Sequence, residues 1–360
     1  MNAPRHPENT ARAPGALAPS PLPPLLGVVI VNYRGASDTI ECLESLLRSS
    51  LPMKIVVVEN GSGDDSVDRL RAWADGLLDA ASESTEMAAF SQPPVAKPVQ
   101  LAERVDSAAD NGPVAPLTLI ISETNRGFAG GNNLGLRHLL RDVQLKHFWL
   151  LNNDTVVAPD AAMGVLSRMM ATPRVGMCGT VVRHYWAPDR IQALNGSSYN
   201  KFTGTGRSLG GEQPATIKYS PQDVADATDF VLGASLAVSR GFIEDVGLMQ
   251  EDYFLYFEEI DWAVRNRKLG DQAYEIAFAH GATVFHKAGR SIGSGSARTK
   301  RSAFADYWLA RSRLRFTWRH YFWLWPLHWL ICWAQIFRRL LRRQGGNAGA
   351  ILRAALGRPY

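Results

Sequence analysis

Three polar clusters in this chain combine residue types and spacings that chemistry can use. The first is Asn152-Asn153-Asp154, set between the apolar runs "FWLL" and "TVV". A surface turn accounts for it through local Asn and Asp hydrogen bonding. So does a strand that delivers a carboxylate to the carboxyl edge of a parallel sheet, where α/β proteins place their ligands. Asp154 is a hard oxygen ligand suited to Mg²⁺ or Mn²⁺ shared with a diphosphate, and such a site needs a second ligand. His286, which closes the apolar run "GATVFH", is the candidate, with a purely structural strand-end histidine as its alternative. The second cluster, "YFEEIDW", brings Glu258, Glu259 and Asp261 together. An acidic, solvated helix start explains it cheaply. The flanking Phe254, Tyr256, Phe257 and Trp262 point instead to partial burial, which raises the pKa of at least one acid and suits a general base. The third, "NRGFAGGNNLG", is a glycine-rich stretch between a strand and a helix, able to turn backbone N–H groups toward an anion or to make a tight turn only. It lacks the G-x-G-x-x-G spacing and follows the third strand, which excludes a dinucleotide fingerprint.

These residues need a scaffold, and the chain supplies a regular one from Leu25 onward. "LLGVVIVNY" and "MKIVVVENGS" are β-branched runs of the kind found in strands buried on both faces. "SDTIECLESLLRSS" spaces Ile40, Leu43, Leu46 and Leu47 as a helix with Ser37 or Asp38 as N-cap, and "DDSVDRLRAWADGLL" reads as a second helix. After a break over 80–116, rich in Ala, Ser, Pro and acids and without useful periodicity, the rhythm resumes: strand "LTLIIS", helix "LGLRHLLRDV", strand "KHFWLL". The break is expected to be an insertion or long surface loop, dispensable to chemistry. Strands alternating with helices predict a mostly parallel sheet flanked by helices. Its loops open on one edge, so Asn32, Glu59, Asn125 and Asp154, each just past a strand, are expected to converge there. Further on, "DFVLGASLAVSR" reads as a strand, "FLYFEEIDWAVRNRKLG" as a helix and "GATVFHKAGRS" as a strand.

The 360 residues, 46% of them apolar, suffice for one large α/β core or two smaller ones. Cys42, Cys178 and Cys332 are odd in number and form no CxxC, which argues against a disulfide framework or a thiolate zinc site and fits a reducing compartment. Residues 1–24, rich in Pro and Ala without a continuous apolar core, are expected to be a disordered leader rather than a signal peptide. The net charge of +5 is concentrated at the other end: Arg298 to Arg343 holds eleven Lys or Arg and one acid, Asp306. There Trp318, Phe322, Trp325, Trp329, Trp333 and Phe337 recur at helical spacing between arginines. The unbroken part, Tyr321 to Phe337, is shorter than the ~20 apolar residues a spanning helix needs. It is expected to lie at the cytoplasmic membrane surface; a helix packed on the catalytic domain or in a homodimer contact is the alternative.

The order "VVIVNY", "VVVENGSGD", "NRGFAGGNNLG", "LLNNDTVV", "DFVLGASLAVSR", "YFLYFEEIDWAVR" and "VFHKAGRS" resembles glycosyltransferase family 2, with the GT-A fold, and within it the bacterial rhamnosyltransferase-like members. The resemblance covers roughly residues 25–295, leaving 296–360 as a basic, aromatic, helical tail. It implies transfer of a sugar from a nucleoside diphosphate (dTDP- or UDP-) to a hydroxyl of a lipid-linked or saccharide acceptor, with inversion and with Mg²⁺ or Mn²⁺, in cell-surface polysaccharide or glycolipid synthesis. Asn152-Asn153-Asp154 takes the place of the family's Asp-x-Asp motif, so that Asp154 holds the metal and Asn152 the ribose or the metal shell. Glu59 stands where an Asp contacts the base ring, and Glu259 where an Asp deprotonates the acceptor. His286 matches a position that completes the metal site in some members. Asn32, Asn125, Arg126, Gly127, Asn132 and Asn153 fall within the donor-binding motifs. The two Asp-to-Glu departures leave Asp261 as a possible substitute base. A different hexosyl- or galactofuranosyltransferase fits the same motifs. Nucleotidyltransfer would want a basic residue on the phosphates early in the chain, where only Arg34 is near. A nucleic-acid or membrane-binding module would use the tail but leave Asp154, Glu259 and His286 without a role, so no nucleic-acid partner is expected.

Overall fold

The computed structural model describes residues 26–106, 112–288 and 301–360. The leader 1–24 and the boundary placed at 295–296 lie outside them. The first half alternates strands and helices: β1 (Leu26–Asn32), α1 (Ala36–Leu47), β2 (Met53–Asn60), α2 (Ser66–Ala74), α3 (Thr85–Ser91), β3 (Ala102–Val105), β4 (Leu117–Ser122), α4 (Gly127–Leu140) and β5 (His147–Asn152). The five strands pair in parallel in the order β3-β4-β2-β1-β5. Alternation along β1 explains the two-sided burial. Val28 and Ile30 join Ile40, Leu43 and Leu46 of α1 in one core, while Val29 joins Leu136 and Leu139 of α4 in the other. Part of the glycine-rich stretch serves this packing. A Cβ on Gly135 would lie 2.5 Å from Val29 Cγ1, so only glycine lets α4 approach β1 this closely. The α1 N-cap is Gly35 rather than Ser37 or Asp38. Asp38 sits in the first turn and pairs with Lys287.

Past β5 come β6 (Thr155–Val157), α5 (Ala161–Met169), β7 (Val175–His184), β8 (Ala187–Leu194), β9 (Gly196–Asn200), β10 (Thr205–Ser208), α6 (Pro221–Asp226), β11 (Phe230–Val231), β12 (Ser235–Ser239), α7 (Arg240–Val246), α8 (Glu258–Arg267) and β13 (Glu275–His286). They extend the sheet as β12-β7-β13-β6, with β12 antiparallel to both neighbours, and β10-β9-β11 forms a small second sheet. The run "DFVLGASLAVSR" is therefore two strands in two sheets. Its break at Leu232–Ala234 lines a cavity at the carboxyl edge of the large sheet.

Two stretches depart from expectation. Within 80–116 the described residues include α3 and β3, and the part over 87–97 is pinned to the core. Met87 is fully buried, Phe90 packs 5.1 Å from the Phe285 ring, and Glu44 of α1 accepts hydrogen bonds from Val95 N (2.7 Å) and Lys97 Nζ (2.8 Å). A seven-residue helix is too short to display a period, and its partners lie far away in the chain. The tail forms α9 (Ala303–His320), α10 (Trp325–Leu341) and α11 (Gly345–Ala355), which bury Tyr307, Leu314, Cys332, Ile336 and Ile351 among themselves. The single aromatic face expected from Trp318 to Phe337 is interrupted at Tyr321 and a short turn, Phe322–Leu324. Trp325 and Trp329 turn toward the bundle core, whereas Trp318, Phe322, Trp333 and Phe337 stay exposed. Among the described residues no helix is long and apolar enough to cross a membrane. All three cysteines are free and buried.

Candidate active site

Beyond β1 the chain moves to β2 on one side and later to β5 on the other, which makes the gap between their carboxyl ends a topological switch point, where open α/β sheets bind ligands. A cavity of about 520 Å³ opens there. Register assembles its floor: Val31 of β1 pairs with Asn152 of β5, and Thr155 of β6 pairs with His286 of β13. The second pairing, reinforced by Lys287 N donating to Asp154 O (3.0 Å), sets the imidazole beside the carboxylate. His286 Nε2 lies 3.1 Å from Asp154 Oδ1 and 3.3 Å from Asn152 Nδ2, while Nδ1 is 2.9 Å from Gln192 Oε1. Gln192 Oε1 is placed to accept a hydrogen bond from Nδ1, and Nε2 faces the Asp154 carboxylate and Asn152. Burial pushes the Asp154 carboxyl up, but His286 outweighs it and holds the group below the usual carboxylate range.

One carboxylate oxygen and one imidazole nitrogen converging at this distance fit a divalent ion such as Mn²⁺ or Mg²⁺. Such ions commonly take one or two protein ligands and complete their shell with substrate phosphates. Among the described residues no third His, Cys, Asp or Glu joins the pair. The rest of the shell would have to come from solvent and ligand.

The opposite wall carries the acids. Phe254, Tyr256 and Phe257 have positive φ (65°, 67° and 76°) and swing the chain into α8, so that Glu258 and Glu259 both face the cavity. Burial raises the carboxyl pKa of Glu259; hydrogen bonds from its own backbone and that of Gly233 moderate the effect. A Cβ at Gly233 would lie 2.0 Å from Glu259 Oε1, so this glycine makes room for the carboxylate. Glu258 is buried with Oε1 unpartnered, and burial with the neighbouring Glu259 charge raises it further. Asp261 is outside the cavity lining. Its carboxylate accepts from His320 Nε2 (2.6 Å), Arg265 Nε (2.7 Å) and Tyr253 OH (2.9 Å). Burial alone would raise it, but these partners hold it low. It is equipped as an anchor rather than as the substitute base.

The other expected donor-site residues divide. Asn125, Gly127, Asn132, Asn152 and Asn153 line the cavity. Asn153 Nδ2 also reaches Thr39 Oγ1 (3.2 Å) and pins the β5–β6 turn to α1. Gly127 (φ 70°) is required by close approach: a Cβ there would lie 2.2 Å from Phe254 O. Asn32 and Glu59 are buried, bonded to each other and not part of the wall. Asn32 Oδ1 accepts from Thr39 Oγ1 (2.8 Å), and Glu59 takes Ser62 N (2.6 Å) and Ser62 Oγ (2.9 Å). Arg126 is paired with Asp106. Sequence reasoning missed Tyr33, Asn60, Phe128 and Gln192. It also missed Phe304, which the tail contributes to the cavity wall. No local pattern marks any of them.

No family model matches the chain. A curated relative, the hexosyltransferase Agl10 of low-salt glycan biosynthesis from Haloferax volcanii, is 23% identical over 149 residues, which cover 41% of this chain and 46% of that protein. The chain thus matches about half the length of that relative. Among solved structures, GalNAc-T7 with UDP, GalNAc and Mn²⁺ superposes with a TM-score of 0.50 at 10% identity, covering 81% of this chain and 47% of that one. The mannosyltransferase PcManGT from Pyrobaculum calidifontis, in complex with GDP-Man and Mn²⁺, gives a TM-score of 0.49 at 15% identity over 96% of this chain and 90% of that one. The fold is the GT-A type: a mainly parallel central sheet flanked by helices.

Proposed function

We propose that the protein is a metal-dependent, inverting glycosyltransferase that moves a sugar from a nucleoside diphosphate to a hydroxyl acceptor. The observation that carries the reading is a single cavity at the switch point with Asp154 and His286 3.1 Å apart on its floor and Glu259, its pKa raised by burial, in its wall. Asn60, Asn125 and Asn152 offer side-chain donors and acceptors for the nucleotide and sugar, and Tyr33 a ring face. Asp154 and His286 would hold the cation, which when bound supplies Lewis-acid neutralisation of the leaving diphosphate. Glu259 takes the proton of the acceptor hydroxyl as its oxygen bonds to the anomeric carbon. The bond from that carbon to the diphosphate breaks in the same displacement, and its electron pair leaves with the diphosphate. One base suffices, and the anomeric carbon inverts.

For the donor we propose a dTDP- or UDP-sugar carrying rhamnose, from the order of the motifs. Similarity to a hexosyltransferase supports another hexosyl donor equally well. The acceptor proposed is a lipid-linked or saccharide hydroxyl of a cell-envelope glycan, met at the cytoplasmic face of the membrane. What supports membrane docking is α10, which buries Cys332 and Ile336 yet leaves Leu327, Leu330, Trp333, Phe337 and Leu341 exposed on its other side. Residues 301–360 carry eleven arginines against one acid, a balance that favours an anionic lipid surface.

Thermal-shift titration with UDP-, dTDP- and GDP-sugars, with and without Mn²⁺, tests the proposal, since a ligand of the native state raises its melting midpoint. Asp154→Ala should remove the Mn²⁺-dependent part of the shift and abolish transfer. Full activity of that variant, or of the wild type in excess EDTA, refutes the metal assignment.

A further inference from the structure

The segment that delivers Glu258 and Glu259 is strained, and the groups that hold it come from outside it. Non-glycine residues at positive φ are strained and persist only where their surroundings over-determine them. Three such residues occur within Phe254–Phe257. The carbonyls of Tyr253, Phe254 and Leu255, in and beside this stretch, are accounted for by distant partners. Ser312 Oγ of α9 lies 3.1 Å from Tyr253 O and 2.8 Å from Leu255 O and donates into both, while Phe128 N, in the first turn of α4, donates to Phe254 O (2.8 Å). One helical turn further along α9, Arg315 Nη1 donates to Asp252 O (2.7 Å), and Phe316 packs its ring 5.3 Å from Phe257. A second turn on, Arg319 pairs with Asp252 (2.9 Å) and His320 Nε2 donates to Asp261 Oδ2 (2.6 Å), its Nδ1 accepting from Lys268 Nζ (2.9 Å). Residues 312, 315, 316, 319 and 320 form one face of α9. That face grips the segment before α8 and the first turns of α8 itself. On the cavity side, Trp308 of the same helix stacks on Phe254 at 4.4 Å.

We propose that α9 is a clamp that sets the position of Glu259: Ser312 and His320 are positioning residues of the transfer site, acting through the Tyr253 and Leu255 carbonyls that flank the strained residues and through Asp261. The helix that sequence reasoning placed outside the catalytic domain is thereby part of its active site. The inference rests on the reading of Glu259 as the base, but its first readout does not. The donor-side residues Asn125, Asn152 and Asp154 stand on β4, β5 and their loops, which α9 does not hold. Loosening the clamp should therefore act on turnover and spare donor affinity.

The test uses the full chain with Ser312→Ala. Amide hydrogen exchange over residues 252–258 should rise about tenfold to a hundredfold, the equilibrium factor carried by one or two buried hydrogen bonds, while β1, β2 and β5 keep their protection. Donor Kd should stay within about threefold, and kcat should fall by about tenfold or more, because a carboxylate no longer held in its attack geometry loses turnover. A paired comparison separates positioning from bulk packing. His320→Gln, whose amide nitrogen can occupy the Nε2 place, should retain most of kcat, and His320→Leu should lose it at unchanged donor Kd. Unchanged exchange over 252–258 overturns the clamp. So does increased exchange with unchanged kcat, or a loss of protection spread over the whole sheet in both Ser312→Ala and His320→Leu. If Glu259→Gln transfers at the wild-type rate, the base assignment falls, and the exchange result still decides whether α9 holds the segment.

Discussion

Replacing Glu259 by Gln is the most informative single perturbation of the proposed mechanism. The side chain keeps its volume and its place beside Gly233, where a Cβ would meet Oε1 at 2.0 Å. What it loses is the ability to accept a proton. General base catalysis is worth roughly 10²–10⁴-fold, or about 3–5.5 kcal/mol at 1.36 kcal/mol per decade. A second, smaller effect follows from local geometry. The carboxylate accepts from the backbone of Glu259 and of Gly233. The amide NH₂ of Gln cannot accept, and one unsatisfied buried donor costs about 1–3 kcal/mol of stability. Turnover and stability therefore move by separable amounts. Donor Kd, measured by calorimetry with Mn²⁺ present, should stay within about threefold while kcat, followed by release of the nucleoside diphosphate, falls by the larger factor. The pH profile adds a sign. A base works ionised, and burial raises the pKa of Glu259, so wild-type turnover should fall as pH drops through a value above the ~4.3 of an ordinary glutamate. That acid limb should be missing from the residual activity of the variant. Turnover within threefold of wild type, or an unchanged acid limb, refutes the assignment.

Glu258 is buried with a raised pKa, so the folded state holds its proton more tightly than the unfolded chain does, and stability is lost as pH rises through the raised value. Glu258→Gln should remove that loss and lift the melting midpoint on the alkaline side; no gain there refutes the burial argument. Met87→Ala should destabilise the fold by about 2–5 kcal/mol in denaturant titration, because its fully buried side chain fills the space between α3 and Phe285; a cost below 0.5 kcal/mol would restore segment 80–116 to the status of a loose loop. Replacing Trp333 and Phe337 by Ser should abolish flotation with anionic vesicles while leaving donor binding intact; flotation equal to wild type rules out α10 as the docking surface.

Local patterning made the parallel half of the sheet legible. β1, β2, β4 and β5 are continuous apolar runs because both their faces are buried, and α1 shows its helical stripe because one side meets the sheet. The carboxyl-edge position of Asp154 follows from the same logic. The sequence by itself thus determined the fold class, the edge where a site belongs and the chemical types gathered at it. It did not determine which polar groups turn into the cavity. Glu59 and Asn32 sit at strand ends as expected, yet they bond to each other and leave the wall to Asn60 and Tyr33. Asp261 lies two residues from Glu259, but helical geometry points it away to Arg265 and His320. The pairing of Asp154 with His286, the Gln192 behind it and the grip of α9 on Phe254–Phe257 all depend on strand register and helix docking between segments far apart in the chain. A one-residue shift in the β6–β13 register would turn His286 to the opposite face with no change in the composition or periodicity of either strand. Such contacts are decided only when the whole core packs, and that is where the structure, and not the pattern of residues, chose the site.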